Sequence, residues 1–111
     1  MKGIDCKGPE FQNMKGAYAA LFTPYGKDGR VNEEMIGKVI EYGLKNGLNG
    51  FYLTGSTGEG FLLSLDERRQ VMAAAKKAIA GRGKLLAHVG CVSTDDAVSL
   101  AKDAKAIGID W

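Results

Sequence analysis

Three short apolar runs begin near Ala17, Phe51 and Leu85, 34 residues apart, and each leads through turn residues into a stretch of helical period. This strand–helix alternation at fixed spacing constrains the fold more than any other feature of the chain. Buried parallel strands read as continuous apolar runs, and joining them takes right-handed helical crossovers. The first run, Ala17-Tyr18-Ala19-Ala20-Leu21-Phe22-Thr23, closes at Pro24, before which the backbone is steered to extended geometry. The second is Gly50-Phe51-Tyr52-Leu53-Thr54 and the third Lys84-Leu85-Leu86-Ala87-His88-Val89-Gly90. Gly108-Ile109-Asp110-Trp111 echoes Gly47-Leu48-Asn49-Gly50, the stretch that runs into the second strand, so Trp111 stands at the threshold of a fourth.

The helices between these runs carry their own boundaries. Asn32 offers an N-cap with Glu33 and Glu34 in the electropositive first turn; Met35, Ile36, Val39, Ile40 and Leu44 recur at helical spacing until Asn46-Gly47. Ser64 and Glu67 have capping-box spacing, and loss of the serine cap should cost about 1 kcal/mol. Behind them, Val71, Met72, Ala75, Ala78 and Ile79 form a stripe that stops before Gly81. Ser93 or Thr94 caps a third helix, with Ala97, Leu100, Ala101, Ala104 and Ile107 facing inward and Gly108 closing it. Two closures suit this order. A (β/α)₈ barrel takes about 250 residues, so this chain would be its first three βα units. A doubly wound, flavodoxin-like sheet could be nearly complete at this length.

At 111 residues the chain makes one domain at most, and 45% hydrophobic with 25% charged residues is an ordinary globular composition. A formal charge of +2 with no basic run argues against nucleic acid, and the apolar stretches are too short to span a membrane. MKGIDCKGPEFQN lacks an apolar leader core and carries Asp5 and Glu10, so a signal peptide is not expected. A second Met-Lys-Gly at 14–16 leaves residues 1–13 as an extension, a leading helix or a cloning remnant, for which GPEF would suit, with the domain itself expected over 14–111. Cys6 and Cys91 are far apart and have no partners at metal-ligand spacing, so both read as reduced thiols of a cytoplasmic protein.

The segment LTGSTGEGF at 53–61 follows the second strand directly and therefore lies at the carboxyl end of the sheet, where either architecture binds ligands. A Walker loop needs a lysine, and none is present; a dinucleotide loop needs G-x-G-x-x-G, and here the order is G-x-x-G-x-G. What remains is two adjacent hydroxyls, Ser56 and Thr57, among free N–H donors, which suits a small planar anion. Each hydrogen bond to a charged carboxylate is worth about 1.5–3 kcal/mol. The plainer alternative is that the glycines only make a tight turn and the hydroxyls satisfy loop backbone. His88 reads as a hydrogen-bonded interior histidine, Glu59 as a brace on loop N–H groups, and Cys91 as inert packing.

LTGSTGEGFLLSLDERRQV, AALFTP and LLAHVGCVST together resemble the N-acetylneuraminate lyase family, within the wider group that contains dihydrodipicolinate synthase. The resemblance runs from Lys15 to Trp111, the amino-terminal third of a typical member. Ser56 and the run His88-Val89-Gly90-Cys91-Val92-Ser93-Thr94 look like the sialate branch. The resemblance implies a (β/α)₈ barrel and class I aldolase chemistry without metal or organic cofactor. A strand lysine forms a Schiff base with the ketone of pyruvate or open-chain sialic acid, and a tyrosine moves the proton. By the same resemblance Ser56 and Thr57 hold the pyruvyl carboxylate, Gly55 and Gly58 let the backbone come close, and Ser56 also positions the tyrosine. The lysine belongs to a sixth strand and the tyrosine follows a fourth, so both are expected outside this chain. Neither Lys15, Lys27 nor Lys84 stands at a strand's carboxyl end, and Tyr18, Tyr25 and Tyr52 do not match the tyrosine's motif. A homo-oligomer, a tetramer by resemblance, is expected of the full-length protein. Another pyruvate-dependent aldolase, and a non-catalytic α/β anion-binding module, are the alternatives.

Overall fold

The computed structural model describes Gly8 and residues 12–111; Cys6 and most of the expected 1–13 extension lie outside the described residues. The order is β1 (Tyr18–Ala20), α1 (Glu33–Lys45), β2 (Gly50–Leu53), a 3₁₀ turn (Gly60–Leu62), α2 (Leu65–Ile79), β3 (Lys84–Ala87) and α3 (Thr94–Ile107). All three strands are parallel and stand in the order β1-β2-β3. The 34-residue period survives as register between β2 and β3, where Gly50 faces Lys84 and Phe51 faces Leu85. On the other side, Tyr18 faces Gly50.

This order separates the two closures. A flavodoxin-like sheet would seat β1 between β2 and β3 and place helices on both faces. Here β2 is central, and the helices contact one another in sequence, α1 with α2 and α2 with α3. Right-handed crossovers between sequential parallel strands put every helix on the same face. The result is three βα units wound in the manner of a barrel wall.

The core lies between that helical layer and the sheet. Phe51, Leu53 and Leu85 point from the strands into a cluster completed by Ile36, Ile40, Val71, Met72, Ala75, Ile79, Leu100 and Ala104, all buried. Strand alternation turns Tyr18, Ala20, Tyr52 and Leu86 to the other face, the side a barrel encloses. Two side chains expected inward do not lie there: Met35 and Ala101 are exposed. Ile36 and Ile40 define the buried line of α1, Leu100 and Ala104 that of α3, and one residue off such a line is a rotation of about 100°.

The caps form as the sequence indicates. Asn32 Oδ1 accepts from the Met35 N–H at 3.0 Å. Ser64 Oγ accepts from Glu67 N at 3.1 Å while Ser64 N donates to the Glu67 carboxylate at 2.7 Å, completing the box. Ser93, rather than Thr94, caps α3. The strands are shorter than the apolar runs. β2 ends at Leu53 because Thr54 adopts φ 52°, and β1 ends at Ala20, although Leu21 N still donates to Tyr52 O at 2.9 Å. Beyond α3, Trp111 N donates to Leu85 O (3.2 Å) and Ala87 N to Trp111 O (2.9 Å), so Trp111 is hydrogen-bonded to the backbone of β3.

Candidate functional site

At the carboxyl ends of the strands the chain after β2 folds into a closed loop. Glu59 N donates to Ser56 O and Gly60 N to Gly55 O, both at 3.0 Å, so residues 55–60 form a ring. From the loop after β1, the buried Thr23 hydroxyl donates to Gly58 O at 2.6 Å and ties the ring to the neighbouring strand. Added side chains would crowd the ring, most severely at Gly55 and Gly60. A Cβ at Gly55 would lie 2.3 Å from the Tyr52 ring, and one at Gly58 would lie 3.0 Å from Leu21 O. One at Gly60 would lie 2.0 Å from Thr54 O.

Ser56 and Thr57 are exposed at the outer turn of this ring. Among the described residues their hydroxyls make no hydrogen bond, and neither do the N–H groups of Ser56, Thr57 and Gly58. The hydroxyls therefore do not satisfy loop backbone; two hydroxyl and three amide donors stand together with their hydrogen-bonding capacity unspent. The amino ends of α2 and α3, beginning at Leu65 and Thr94, follow the strand-end loops and present their positive dipole ends on this rim. Pairs of such donors suit a small anion that enters from the strand ends.

Behind the ring lies a brace that the sequence reading passed over. Arg68 on α2 is 3% exposed, its Nη1 donates to Gly90 O at 2.8 Å, and its Nη2 donates to His88 O. His88 N donates to Leu53 O at 3.0 Å, and Thr54 Oγ1 donates to His88 O at 3.1 Å. The ring nitrogen His88 Nδ1 lies 3.1 Å from Thr54 O and 3.4 Å from Arg68 Nη2. A carbonyl only accepts and a guanidinium only donates, so the closer Thr54 contact assigns the proton to Nδ1. His88 is thus hydrogen-bonded, as expected, and its ring is flanked by those of Tyr52 and Phe61. The signal for Arg68 was its phase: it falls three and four residues before Val71 and Met72, on the buried stripe of α2.

Two expectations change. Glu59 makes no side-chain cap bond to the 3₁₀ turn that follows it. Its backbone sits at φ 56°, and burial followed by the nearby Glu59 charge pushes the Tyr25 phenol up from its ordinary value. Cys91 is a free thiol that meets a charge brought by the fold, its Sγ lying 3.4 Å from Arg68 Nη1. Lys84, at the amino end of β3, pairs with Asp110 at 3.2 Å. A surface groove of about 390 Å³ lies between α1 and α2, lined by Glu33, Gly37, Ala74 and Lys77 and by no residue of the 55–60 ring. Among the described residues no three His, Cys, Asp or Glu side chains gather to hold a metal ion, and no helix is long and apolar enough to cross a membrane.

A sequential parallel sheet with helices on one face and an anion-ready loop at the strand ends defines the wall of a (β/α)₈ barrel. The model of the dihydrodipicolinate synthetase family matches residues 13–111, and the chain belongs to that family. The N-acetylneuraminate lyase of Escherichia fergusonii is 40% identical over 98 residues, 88% of this chain and 33% of that protein. The N-acetylneuraminate lyase structure from Mycoplasma synoviae superposes with a TM-score of 0.84 at 36% identity, over 89% of this chain and 34% of that one. Dihydrodipicolinate synthase from Aquifex aeolicus superposes with a TM-score of 0.81 at 37% identity, over 85% and 32% of the two chains. The chain spans about a third of the length of the curated relatives it matches. Its relatives include N-acetylneuraminate lyases and dihydrodipicolinate synthases.

Proposed function

We propose that this chain carries the pyruvate-carboxylate grip of an N-acetylneuraminate lyase-type class I aldolase, which splits N-acetylneuraminate into N-acetylmannosamine and pyruvate. The observation that carries this reading is the pair of unspent hydroxyls at Ser56 and Thr57, beside three unspent N–H groups on a ring closed by its own backbone bonds and tied to Thr23. In this reading the carboxylate of the 2-keto acid accepts from those hydroxyls and from the N–H groups of residues 56–58. That fixes the ketone carbon relative to a Schiff-base lysine supplied from outside residues 1–111. Gly55 and Gly58 keep the backbone low enough for the carboxylate to approach, and Ser56 also orients the proton-transferring tyrosine. The dihydrodipicolinate synthases among the structural relatives favour a second reading, another pyruvate-dependent aldolase with the same grip. The domain is read as residues 14–111 behind an extension, and the full-length protein as a cytoplasmic homo-oligomer.

Titrating the ¹⁵N-labelled chain with pyruvate tests the grip. Amide shifts should concentrate on residues 55–60, and S56A/T57V should weaken binding by more than tenfold, since each bond to the charged group is worth about 1.5–3 kcal/mol. Inorganic phosphate should bind less well than pyruvate. Uniform small shifts, or an unchanged affinity in the double variant, would remove the grip from this loop.

A further inference from the structure

We infer that Arg68 is a positioning residue for the grip, acting through the loop after β3 on a left-handed turn at Thr54; this rests on the carboxylate-grip reading above. Arg68 is almost wholly buried, yet none of the ion pairs among the described residues includes it. Its charge is met by two backbone carbonyls, Gly90 O and His88 O, and by the Cys91 sulfur, while its Nε has no partner. For stability alone, an apolar side chain of similar volume would serve such a position at least as well. What the guanidinium does instead is fix the carbonyl of His88 in space.

That carbonyl is shared. Thr54 Oγ1 donates to the same His88 O, the His88 ring donates back to Thr54 O, and His88 N holds Leu53 O. Three bonds thus converge on the dipeptide where β2 turns into the binding ring. Thr54 is 1% exposed and sits at φ 52°, a region β-branched residues avoid and keep only where the surroundings over-determine it. Its φ sets the direction in which Gly55, Ser56 and Thr57 leave the sheet. Relaxed to extended backbone, Thr54 would carry its carbonyl away from the close approach of Gly60 and swing the two hydroxyls off the strand ends. Arg68 is therefore the anchor of a chain, Arg68 to His88 to Thr54, that holds the hydroxyls in place without touching a ligand.

A cycle of R68M, T54G and R68M/T54G in the full chain tests this, because glycine holds a left-handed turn unaided. Two readouts are taken: hydrogen exchange at the Glu59 and Gly60 amides, which close the ring, and the dissociation constant for pyruvate. R68M should speed exchange at both amides and weaken pyruvate about tenfold, whereas with glycine at 54 the same change should cost about twofold or less. R68K keeps the charge but reaches one carbonyl rather than two, so it should show the same ordering at smaller size, and it replaces R68M if that variant does not fold. Equal losses in both backgrounds, or unaltered exchange at Glu59 and Gly60, would overturn the inference. If the parent chain does not bind pyruvate, the grip reading fails, and the exchange arm still decides whether Arg68 sets the turn.

Discussion

At residue 60 there is no room for a side chain, since a Cβ would stand 2.0 Å from the carbonyl oxygen of Thr54. G60A forces that carbonyl to move and should cost about 1–3 kcal/mol of stability. Pyruvate binding should fall with it, because the displaced atom belongs to the residue that aims the ring. Denaturant unfolding and a pyruvate titration of the variant measure both, and a stable variant with full affinity would contradict the geometry. At this scale the sequence was uneven. That Ser56 and Thr57 stand on an exposed turn at the strand end was legible, because glycines flank them directly after an apolar strand. Arg68 was not, since an arginine on an amphipathic helix is ordinarily solvated; only its phase with Val71 and Met72 marked it, and its partners come from 20 to 23 residues away. The conformation of Thr54 was hidden altogether, because a left-handed threonine exists only by virtue of tertiary bonds that no local pattern records.

Among the elements, helix starts were the best-read features, being fixed by side chains within four residues of one another. Strand ends were read too long, because apolar composition continues past the point where the backbone turns. Ties between elements were not visible, and one of them makes a pH-dependent prediction. Arg82, just beyond α2, pairs with Glu41 on α1. The hydrogen bond from Arg82, ahead of a small opposing effect of burial, holds the Glu41 carboxyl below its ordinary value of 4.5. A carboxyl lowered in the folded state stabilises fully above its unfolded value, and that contribution is lost as pH falls through the folded one. The melting-temperature difference between the parent chain and E41Q should therefore be largest near neutral pH and shrink as pH drops below 4.5. A difference that stays constant down to pH about 3 would show that the pair contributes nothing through ionisation. The effect should be modest, as both side chains are solvent-exposed and solvent screens such pairs.

For the molecule as a whole, the fixed spacing of apolar runs was enough to give parallel βα units, and strand order was needed to choose between closures. Periodicity cannot report that order, because a doubly wound sheet and a barrel wall use the same strands and helices and differ in which strands are neighbours. The central position of β2 and the single helical layer decide it. The same arrangement gives the site its logic: three strand-end loops meet on one rim, Thr23 from the first and His88 from the third holding the second in shape. The central claim is that this shape grips a carboxylate. Its most direct test is to compare pyruvate with methyl pyruvate, which keeps the ketone and removes the charge, by calorimetric or amide-shift titration of the chain. Esterification should weaken binding at least tenfold in the parent chain and make little further difference in S56A/T57V, where the grip is already gone. Equal binding of acid and ester by the parent chain would contradict the claim.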